Sequence, residues 1–302
     1  MNKKASSNLL FYGLCFLIIF VTAVVYGGSK LYIYLNKFNS GKEKVEAYEV
    51  EDDRKPVNFL LMGVDKGNGG KGRTDTIMLV NYIYKDDKAN IISIPRDTLI
   101  NINGKNEKIN SAHVYGGVPW TIEAVEQLLN VKINYYGKVN YEGFKAFIDA
   151  IGGIDIEIKQ DMHYDDYGQE LHIHFDKGDM VHLDGEGAEQ FFRWRKNNDG
   201  SGLPMGDLDR IENQHEFLNK VMDKLKNPTI VFNLPKLINT LPTYIETNMD
   251  GKDLLKYGLS IKNIDSEKIE FVTIKGELQD IEGVSYFIYD EKQNEEITAM
   301  LD

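Results

Sequence analysis

Short apolar runs separated by charged and glycine-rich segments are the main pattern of the chain after residue 56. Three such runs cover residues 59–64, 77–80 and 91–94. Short runs rich in β-branched residues and bounded by Gly, Pro and Asp are typical of buried strands. Paired opposite charges flank these runs, and such charges are costly to bury without partners. We therefore predict a sheet whose edge carries a polar site.

Helical spacing alternates with further strand patterns along the rest of the chain. We predict a short helix at 109–117 that ends at glycines, a second helix that starts at Pro119, and later helices at 141–151, 186–196, 208–226 and 250–263. Strands are predicted at 135–139, 154–158, 269–274 and 284–289. The linker 197–206 is rich in Gly and Asn, and we predict that it is mobile. The alternation indicates one layered α/β domain over residues 56–302.

The N-terminus has a different pattern, because residues 9–28 contain no charged side chain. Twenty apolar residues are enough to cross a membrane as a helix. We therefore predict a transmembrane helix at residues 9–28. Because Lys3 and Lys4 precede it, residues 1–8 are expected in the cytoplasm. The stalk at residues 29–55 and the domain that follows it are expected outside the cell. A cleaved signal peptide is the alternative, but the run is long for one. Cys15, the single cysteine, lies inside this run and excludes a disulfide framework.

The charge balance narrows the class of ligand. The net charge is −12 and the first 55 residues carry +2, with 8 basic and 6 acidic side chains, so the remaining chain carries −14. An acidic domain is a poor general surface for nucleic acid, and we predict no nucleic-acid partner. Any anion would have to be bound by a local cluster of arginines.

The candidate chemistry lies in two charged groups of residues. The first follows the predicted strands, and its members are Asp65, Arg73, Asp75, Arg96 and Asp97. The second lies near two predicted helices and consists of Arg193, Arg195, Arg210 and Gln214. Arginine forks suit phosphate oxygens, and five arginines around one pocket would suit a pyrophosphate. The carboxylates could hold Mg²⁺, which usually takes one or two from the protein. Surface salt bridges are the plain alternative for any single Arg-x-Asp pair.

Taken together, the motifs resemble the LytR-CpsA-Psr family of cell-envelope proteins across roughly residues 57–221. The matching segments, in family order, are Gly63-Val64-Asp65, Gly72-Arg73-Thr74-Asp75-Thr76-Ile77-Met78-Leu79, Ile92-Ser93-Ile94-Pro95-Arg96-Asp97-Thr98, Lys108-Ile109-Asn110-Ser111-Ala112, Tyr115-Gly116-Gly117, Tyr141-Glu142-Gly143-Phe144, Gly152-Gly153-Ile154-Asp155, Leu183-Asp184-Gly185-Glu186, Arg193-Trp194-Arg195, and Asp209-Arg210 with Gln214. The chain departs from the family pattern at Asn213, where an arginine is frequent, and in its longer 197–206 linker.

The resemblance implies a fold, an activity and roles for these residues. The implied fold is a central mixed β-sheet flanked by helices, with an apolar tunnel for a prenyl chain. The implied enzyme is a phosphotransferase that moves a glycopolymer from a polyprenyl-pyrophosphate carrier to a peptidoglycan hydroxyl and releases polyprenyl phosphate. By position, Asp65 and Asp75 would hold Mg²⁺, and the pyrophosphate would be bound by Arg73, Arg96, Arg193, Arg195, Arg210 and Gln214. The expected catalytic residues are Arg73, Asp75, Arg96 and Asp97.

Several alternatives stay open from the sequence. Asp75 and Asp97 are both candidates for the general base. A transcription attenuator, a pyrophosphatase that uses water as acceptor, and a non-catalytic glycan or lipid binder are competing functions. His172 and His174 lie on one face of a predicted strand and could form a zinc site. A hairpin with one apolar face and one solvent-exposed face explains the two histidines equally well.

Overall fold

The computed structural model of the protein describes residues 45, 47–48, 55–65, 72–168, 170–202, 207–260, 264 and 266–301. The predicted cytoplasmic tail and transmembrane helix, and most of the predicted stalk, lie outside these residues. Within the described part of the chain, no helix combines the length and the apolar character needed to span a membrane.

Strands and helices alternate along the described chain. The strands are β1 (Val57–Val64), β2 (Thr74–Ile83), β3 (Lys88–Ser93), β4 (Leu99–Ile102), β5 (Lys105–Lys108), β6 (Tyr135–Asn140), β7 (Ile154–Glu157), β8 (Met162–Asp166), β9 (Leu171–Phe175), β10 (Met180–Leu183), β11 (Ile245–Thr247), β12 (Ile269–Thr273), β13 (Gly276–Ile281) and β14 (Val284–Tyr289). The α-helices are α1 (Ala112–Leu129), α2 (Tyr141–Ile151), α3 (Gly185–Arg193), α4 (Asp207–Lys226), α5 (Leu234–Thr240), α6 (Gly251–Ser260) and α7 (Glu295–Leu301).

Six strands form the central sheet in the order β11-β6-β1-β2-β3-β12. The β1–β6 and β3–β12 pairs are parallel, and the other neighbours are antiparallel. The sheet is therefore mixed, as the family resemblance implies. The other strands form two-stranded pairs around it, among them the β4–β5 and β8–β9 hairpins.

The two faces of the sheet have different surroundings. Successive side chains of a strand point to opposite faces. Leu60 and Met62 of β1 pack with the buried face of α1, including Val125, in one apolar core. A second core joins α2 to α5 with β7–β10 around Phe217 and Trp194. The space between the second core and the sheet is where the cavity described below lies.

Helix boundaries mostly follow the predicted signals. The predicted break near residue 117 is confirmed, since Gly117 has φ 66° and ψ −151° inside α1. The α2 helix begins after Asn140, whose side chain accepts a hydrogen bond from the backbone N–H of Gly143, and ends at Gly152 with φ 85°. The prediction for α3 was wrong at its end: the helix stops at Arg193 rather than at residue 196, and Trp194 turns to an extended conformation.

A ladder of buried asparagines crosses the sheet, and the hydrophobic pattern did not reveal it. Asn58, Asn81 and Asn90 are directly opposite one another on β1, β2 and β3. The amide of Asn81 donates to Asn58 at 3.0 Å, and that of Asn90 donates to Asn81 at 3.2 Å. All three are buried. A strand that slipped in register would separate these amides, so the ladder favours one pairing of the three strands.

Candidate functional site

A cavity of about 760 Å³ opens between the sheet, helices α2 to α4 and the β8–β9 hairpin. Its body is apolar, and the main contributors are Leu61, Met78, Val139, Phe144, Leu171, Phe192, Leu218 and Ile245. A second part of its lining, called the charged mouth below, is polar and includes Asp75, Arg96, Tyr141, Arg193, Arg195, Lys196 and Gln214. The cavity thus combines an apolar chamber with a group of charged side chains.

The apolar floor of the cavity follows from strand alternation. Leu61 and Gly63 of β1 lie opposite Met78 and Thr76 of β2 on the same face of the sheet. Leu61 is 42% exposed although it is apolar and central in the sheet, because its side chain borders the open cavity. Phe144 and Phe192 form the facing wall, with ring centroids 5.1 Å apart. An exposed apolar surface of this kind is typical of a ligand-binding cavity.

Asp75 and Arg96 form the centre of the charged mouth. Asp75 lies near the start of β2, and Arg96 lies in the turn after β3, so adjacent strands bring them to one edge of the sheet. The Nη1 atom of Arg96 is 2.6 Å from Oδ1 of Asp75, and the hydroxyl of Tyr141 donates to Oδ2 at 3.2 Å. Both carboxylate oxygens are therefore held by donors, which fixes the orientation of the carboxylate.

Arg193 enters the mouth from the last turn of α3. Its Nη1 donates to Glu189 Oε1 at 3.0 Å, one helical turn earlier, and its guanidinium carbon lies 5.0 Å from the centre of the Tyr141 ring. Glu189 is buried and also lies 3.3 Å from Lys145 Nζ. Burial lowers the pKa of Lys145, but Glu189, with Glu186 and Glu142, raises it overall. Glu189 thus contacts both Lys145 and Arg193, and it fixes the position of Arg193.

Asp65 and Arg73 are close neighbours at the ends of β1 and β2. The backbone N–H of Arg73 donates to Asp65 Oδ1 at 2.7 Å, and the backbone N–H of Asp65 donates to the carbonyl of Arg73 at 3.1 Å. His113 of α1 supports this end of the loop, with Nδ1 2.7 Å from the carbonyl of Gly72. The intervening residues 66–71 lie outside the described chain. Neither side chain is among those that line the cavity.

The remaining predicted site residues have different positions. Asp97 is not among the lining residues; its Oδ1 is 2.8 Å from Lys108 Nζ, and its carbonyl accepts from the backbone of Phe287. Gln214 of α4 is buried and lines the cavity. Arg210 lies one turn before it on the same helix, but its side chain is outside what the structure describes. Arg195 is exposed at the mouth.

The first part of the linker 197–206, which was predicted to be mobile, makes hydrogen bonds to β8. The side chain of Asn197 accepts from the backbone N–H of His163 at 2.6 Å, and the backbone N–H of Asn198 donates to the carbonyl of His163 at 3.1 Å. The side chain of Asn198 accepts from the backbone of Asp165 at 2.7 Å. The segment is thus held along the edge of β8, because its asparagines satisfy the free backbone groups of that strand. Residues 203–206 lie outside the description.

The histidine pair lies on the wet face of the β8–β9 hairpin, as the alternation predicted. His172 and His174 both contact Oδ1 of Asp165, at 2.6 and 3.2 Å. The hydrogen bond from His172 is the main cause of the lowered pKa of Asp165. Within the described residues, no group of three or more His, Cys, Asp or Glu side chains is arranged to hold a metal ion.

Two features of the mouth were not identified from the sequence. Tyr141 belongs to the motif Tyr141-Glu142-Gly143-Phe144 given above, but only the fold brings its hydroxyl to Asp75 and its ring to Arg193. Lys196 also lines the mouth. The apolar lining had no sequence signal of its own, because its members alternate with core residues on the same strands and helices.

The fold is a mixed α/β sheet with flanking helices, and its cavity combines apolar walls with a group of charged side chains. The family model described as the LytR_cpsA_psr family matches residues 23–302, and the chain belongs to this family. It is 32% identical over 265 residues to the polyisoprenyl-teichoic acid–peptidoglycan teichoic acid transferase TagU of Bacillus licheniformis, covering 87% of this chain and 82% of the relative. It is 33% identical over 273 residues to TagU of Bacillus cereus, covering 88% and 83%.

Solved structures give the same assignment. The crystal structure of TagV from B. subtilis matches with a TM-score of 0.70 and 28% identity, over 82% of this chain and 96% of that one. A structure of TagT bound to LI-WTA matches with a TM-score of 0.69 and 26% identity, over 86% and 95%.

Proposed function

We propose that this protein is a transferase that moves a glycopolymer from a polyprenyl-pyrophosphate carrier to a sugar hydroxyl of peptidoglycan. The related TagU proteins are named polyisoprenyl-teichoic acid–peptidoglycan teichoic acid transferases, at 32–33% identity over more than four-fifths of both chains. Teichoic acid is therefore the first candidate for the polymer, and a capsular polysaccharide is the second.

The observation that carries the proposal is the division of the cavity into a charged mouth and an apolar body. A polyprenyl pyrophosphate has the same division, with a dianionic or more highly charged head and a long apolar tail. Arg96, Arg193 and Arg195 at the mouth suit phosphate oxygens. The apolar walls suit the tail, since burial of apolar surface contributes roughly 25 cal/mol per Å².

The reaction is a displacement at the phosphorus atom that carries the glycan. The acceptor hydroxyl oxygen forms a new bond to this phosphorus, the bond to the bridging oxygen breaks, and polyprenyl phosphate leaves with the electron pair. The hydroxyl proton passes to a base. Charge builds up on the leaving phosphate, so prepositioned guanidinium groups lower the barrier. In this structure Arg193 is fixed by Glu189, and Arg96 is fixed by Asp75.

Mg²⁺ is part of the proposal, with Asp65 and Asp75 as its protein ligands. Both carboxylates supply oxygen donors, Asp65 directly after β1 and Asp75 near the start of the neighbouring β2, and this supports the pair as ligands. When bound, Mg²⁺ would neutralise phosphate charge. Since no group of three or more His, Cys, Asp or Glu side chains among the described residues is arranged to hold a metal ion, phosphate oxygens and water would complete its ligands.

Location in the cell membrane is also proposed. It rests on the uncharged run at residues 9–28 and the two lysines before it. A membrane anchor would hold the cavity near its lipid-linked donor, while the peptidoglycan acceptor lies outside the cell.

Transfer of a radiolabelled lipid-linked glycan to peptidoglycan by the full-length protein tests the proposal. We expect Arg73→Ala, Asp75→Ala and Arg193→Ala each to lower the transfer rate by about 100-fold or more, as expected when one electrostatic stabiliser is lost. Lys177→Ala and Asp280→Ala change exposed charges elsewhere and should leave the rate unchanged. Wild-type rates in the three site variants would contradict the proposal. Release of free glycosyl phosphate with no glycan joined to the wall would identify a pyrophosphatase instead.

A further inference from the structure

Tyr141 occupies a fixed position between the two halves of the charged mouth. It is the first residue of α2, directly after the helix cap at Asn140. Gly143 holds this first turn close to the sheet edge, because a Cβ there would lie 2.7 Å from side-chain atoms of both Val139 and Tyr244. The cap and this close approach together leave the start of α2 little freedom to move.

The side chain of Tyr141 contacts both halves of the mouth with different parts of its structure. Its hydroxyl donates to Oδ2 of Asp75 at 3.2 Å, while Arg96 holds Oδ1 of the same carboxylate at 2.6 Å. Its ring lies 5.0 Å from the guanidinium carbon of Arg193, a distance at which a cation is attracted to the ring face. Tyr141 itself lines the cavity.

The two halves come from distant parts of the chain. Asp75 and Arg96 belong to β2 and to the turn after β3, whereas Arg193 ends α3, about a hundred residues later. The Glu189 carboxylate fixes one nitrogen of Arg193 within its own helix. The ring of Tyr141 then sets where the planar guanidinium lies relative to Asp75. Since an arginine fork binds phosphate only in a suitable orientation, this placement matters for head-group binding.

We propose that Tyr141 is a positioning residue that couples Asp75 to Arg193, with its hydroxyl fixing the carboxylate and its ring fixing the guanidinium. This inference rests on the proposed function for its transfer step. The two roles are separable: Tyr141→Phe removes the hydroxyl and keeps the ring, and Tyr141→Leu removes both.

The experiment measures two quantities on the full-length protein in lipid nanodiscs. Calorimetric titration with inorganic pyrophosphate in EDTA reports binding by the arginines, and the glycan-transfer assay reports kcat and KM. For Tyr141→Phe we expect a pyrophosphate Kd within about 2-fold of wild type and a kcat about 10-fold lower, the loss expected for one hydrogen bond to a charged group. For Tyr141→Leu we expect the same loss in kcat and a Kd raised about 5-fold by loss of the ring.

A double-mutant cycle with Arg193→Ala tests whether the ring acts through that arginine. Replacing Tyr141 by Leu in the Arg193→Ala background should raise the Kd no further, because coupled residues are not additive. Tyr167→Leu, which changes a tyrosine that is 82% exposed on the β8–β9 hairpin, should match wild type in both assays. If Tyr141→Leu does not fold, Tyr141→Gln serves as the variant without a ring.

Each outcome decides one part of the inference. The role of the ring would be overturned if the variant without a ring bound pyrophosphate with the wild-type Kd. It would also be overturned if Tyr141→Leu raised the Kd as much in the Arg193→Ala background as in wild type. Wild-type kcat in Tyr141→Phe would overturn the role of the hydroxyl. If wild-type protein binds pyrophosphate but transfers no glycan, the proposed function and the hydroxyl role fail, while the pyrophosphate titrations still decide the ring role. Wild-type protein that transfers glycan but binds no pyrophosphate overturns the ring role.

Discussion

His215 follows Gln214 on α4, but its ring contacts the sheet rather than the cavity. Its Nε2 is 2.7 Å from the hydroxyl of Ser93, and its ring centroid lies 5.0 Å from that of Phe271. Burial lowers the pKa of His215 from 6.5 to about 4. The folded protein therefore keeps this ring neutral at pH values where the unfolded chain takes up a proton, and the free energy of unfolding falls as the pH drops from about 6.5 towards 4.

Replacement of His215 by Gln removes this proton uptake and keeps a polar group near Ser93. Between about pH 7.5 and about pH 5, we expect the variant to lose less unfolding free energy than wild type, by about 1 kcal/mol after allowance for partial solvent access. Urea denaturation of the full-length protein at both pH values measures the difference. The His174→Gln variant changes a histidine that is 60% exposed in its side chain and serves as the control. Identical pH dependence in wild type and His215→Gln would refute this account.

Strand alternation divides the central sheet into a packed face and a cavity face. Gly137 of β6 lies opposite Leu61 of β1 on the cavity face. A Cβ added at Gly137 would have Leu61 Cδ2, at 3.3 Å, as its one neighbour within 4 Å. Any larger side chain at this position must extend into the cavity, so the glycine keeps the apolar chamber wide.

A Gly137→Leu variant should therefore fill part of the chamber without changing the charged mouth. We expect weaker binding of a polyprenyl phosphate by about 10-fold, within the range of overpacking costs of about 1–3 kcal/mol, and unchanged binding of inorganic pyrophosphate. Both affinities are measured by titration in nanodiscs. Gly258→Leu on α6, where an added Cβ meets nothing within 4 Å, is the matched control. An equal loss of affinity for both ligands in Gly137→Leu would indicate a general distortion of the protein rather than a blocked chamber.

The charge distribution of the whole protein combines an acidic domain with a local basic site. The chain after residue 55 carries −14, yet five of the protein's six arginines belong to the predicted site. Of these five, Arg96, Arg193 and Arg195 line one cavity. The proposed anionic head group would thus be bound by local arginines within an acidic surface, and that acidic surface disfavours nonspecific binding of nucleic acid.

Cysteine labelling in intact cells tests the predicted topology. In a Cys15→Ser background, a cysteine placed at exposed Lys177 should react with a membrane-impermeant maleimide on intact cells. A cysteine placed at Asn2 should react only after lysis, because the lysines that follow it favour a cytoplasmic N-terminus. Labelling of both positions only after lysis would place the domain in the cytoplasm and revive the attenuator hypothesis. Absence of residue 2 from the mature protein would indicate a cleaved signal peptide.

The sequence alone determined the alternation of strands and helices, and its motifs included Asp75, Arg96, Arg193, Arg195 and Gln214, which line the cavity. These features depend on short-range periodicity and on motifs with unusual charges at strand ends, and both can be recognised without knowing which segments meet. The asparagine ladder and the packed linker were missed for the opposite reason. Their polar groups are stabilised by partners from other strands, such as Asn58 with Asn81 and Asn198 with His163.

Only the tertiary structure decided which apolar residues surround a cavity and which pack in the core. Leu61 and Leu60 are neighbours of one chemical type, yet one borders the chamber and the other is fully buried against α1. The same holds for Tyr141, whose contacts with Asp75 and Arg193 depend on how α2 and α3 meet the sheet. Helix and strand patterns set which side of an element is apolar, but the space left between layers depends on how every layer packs.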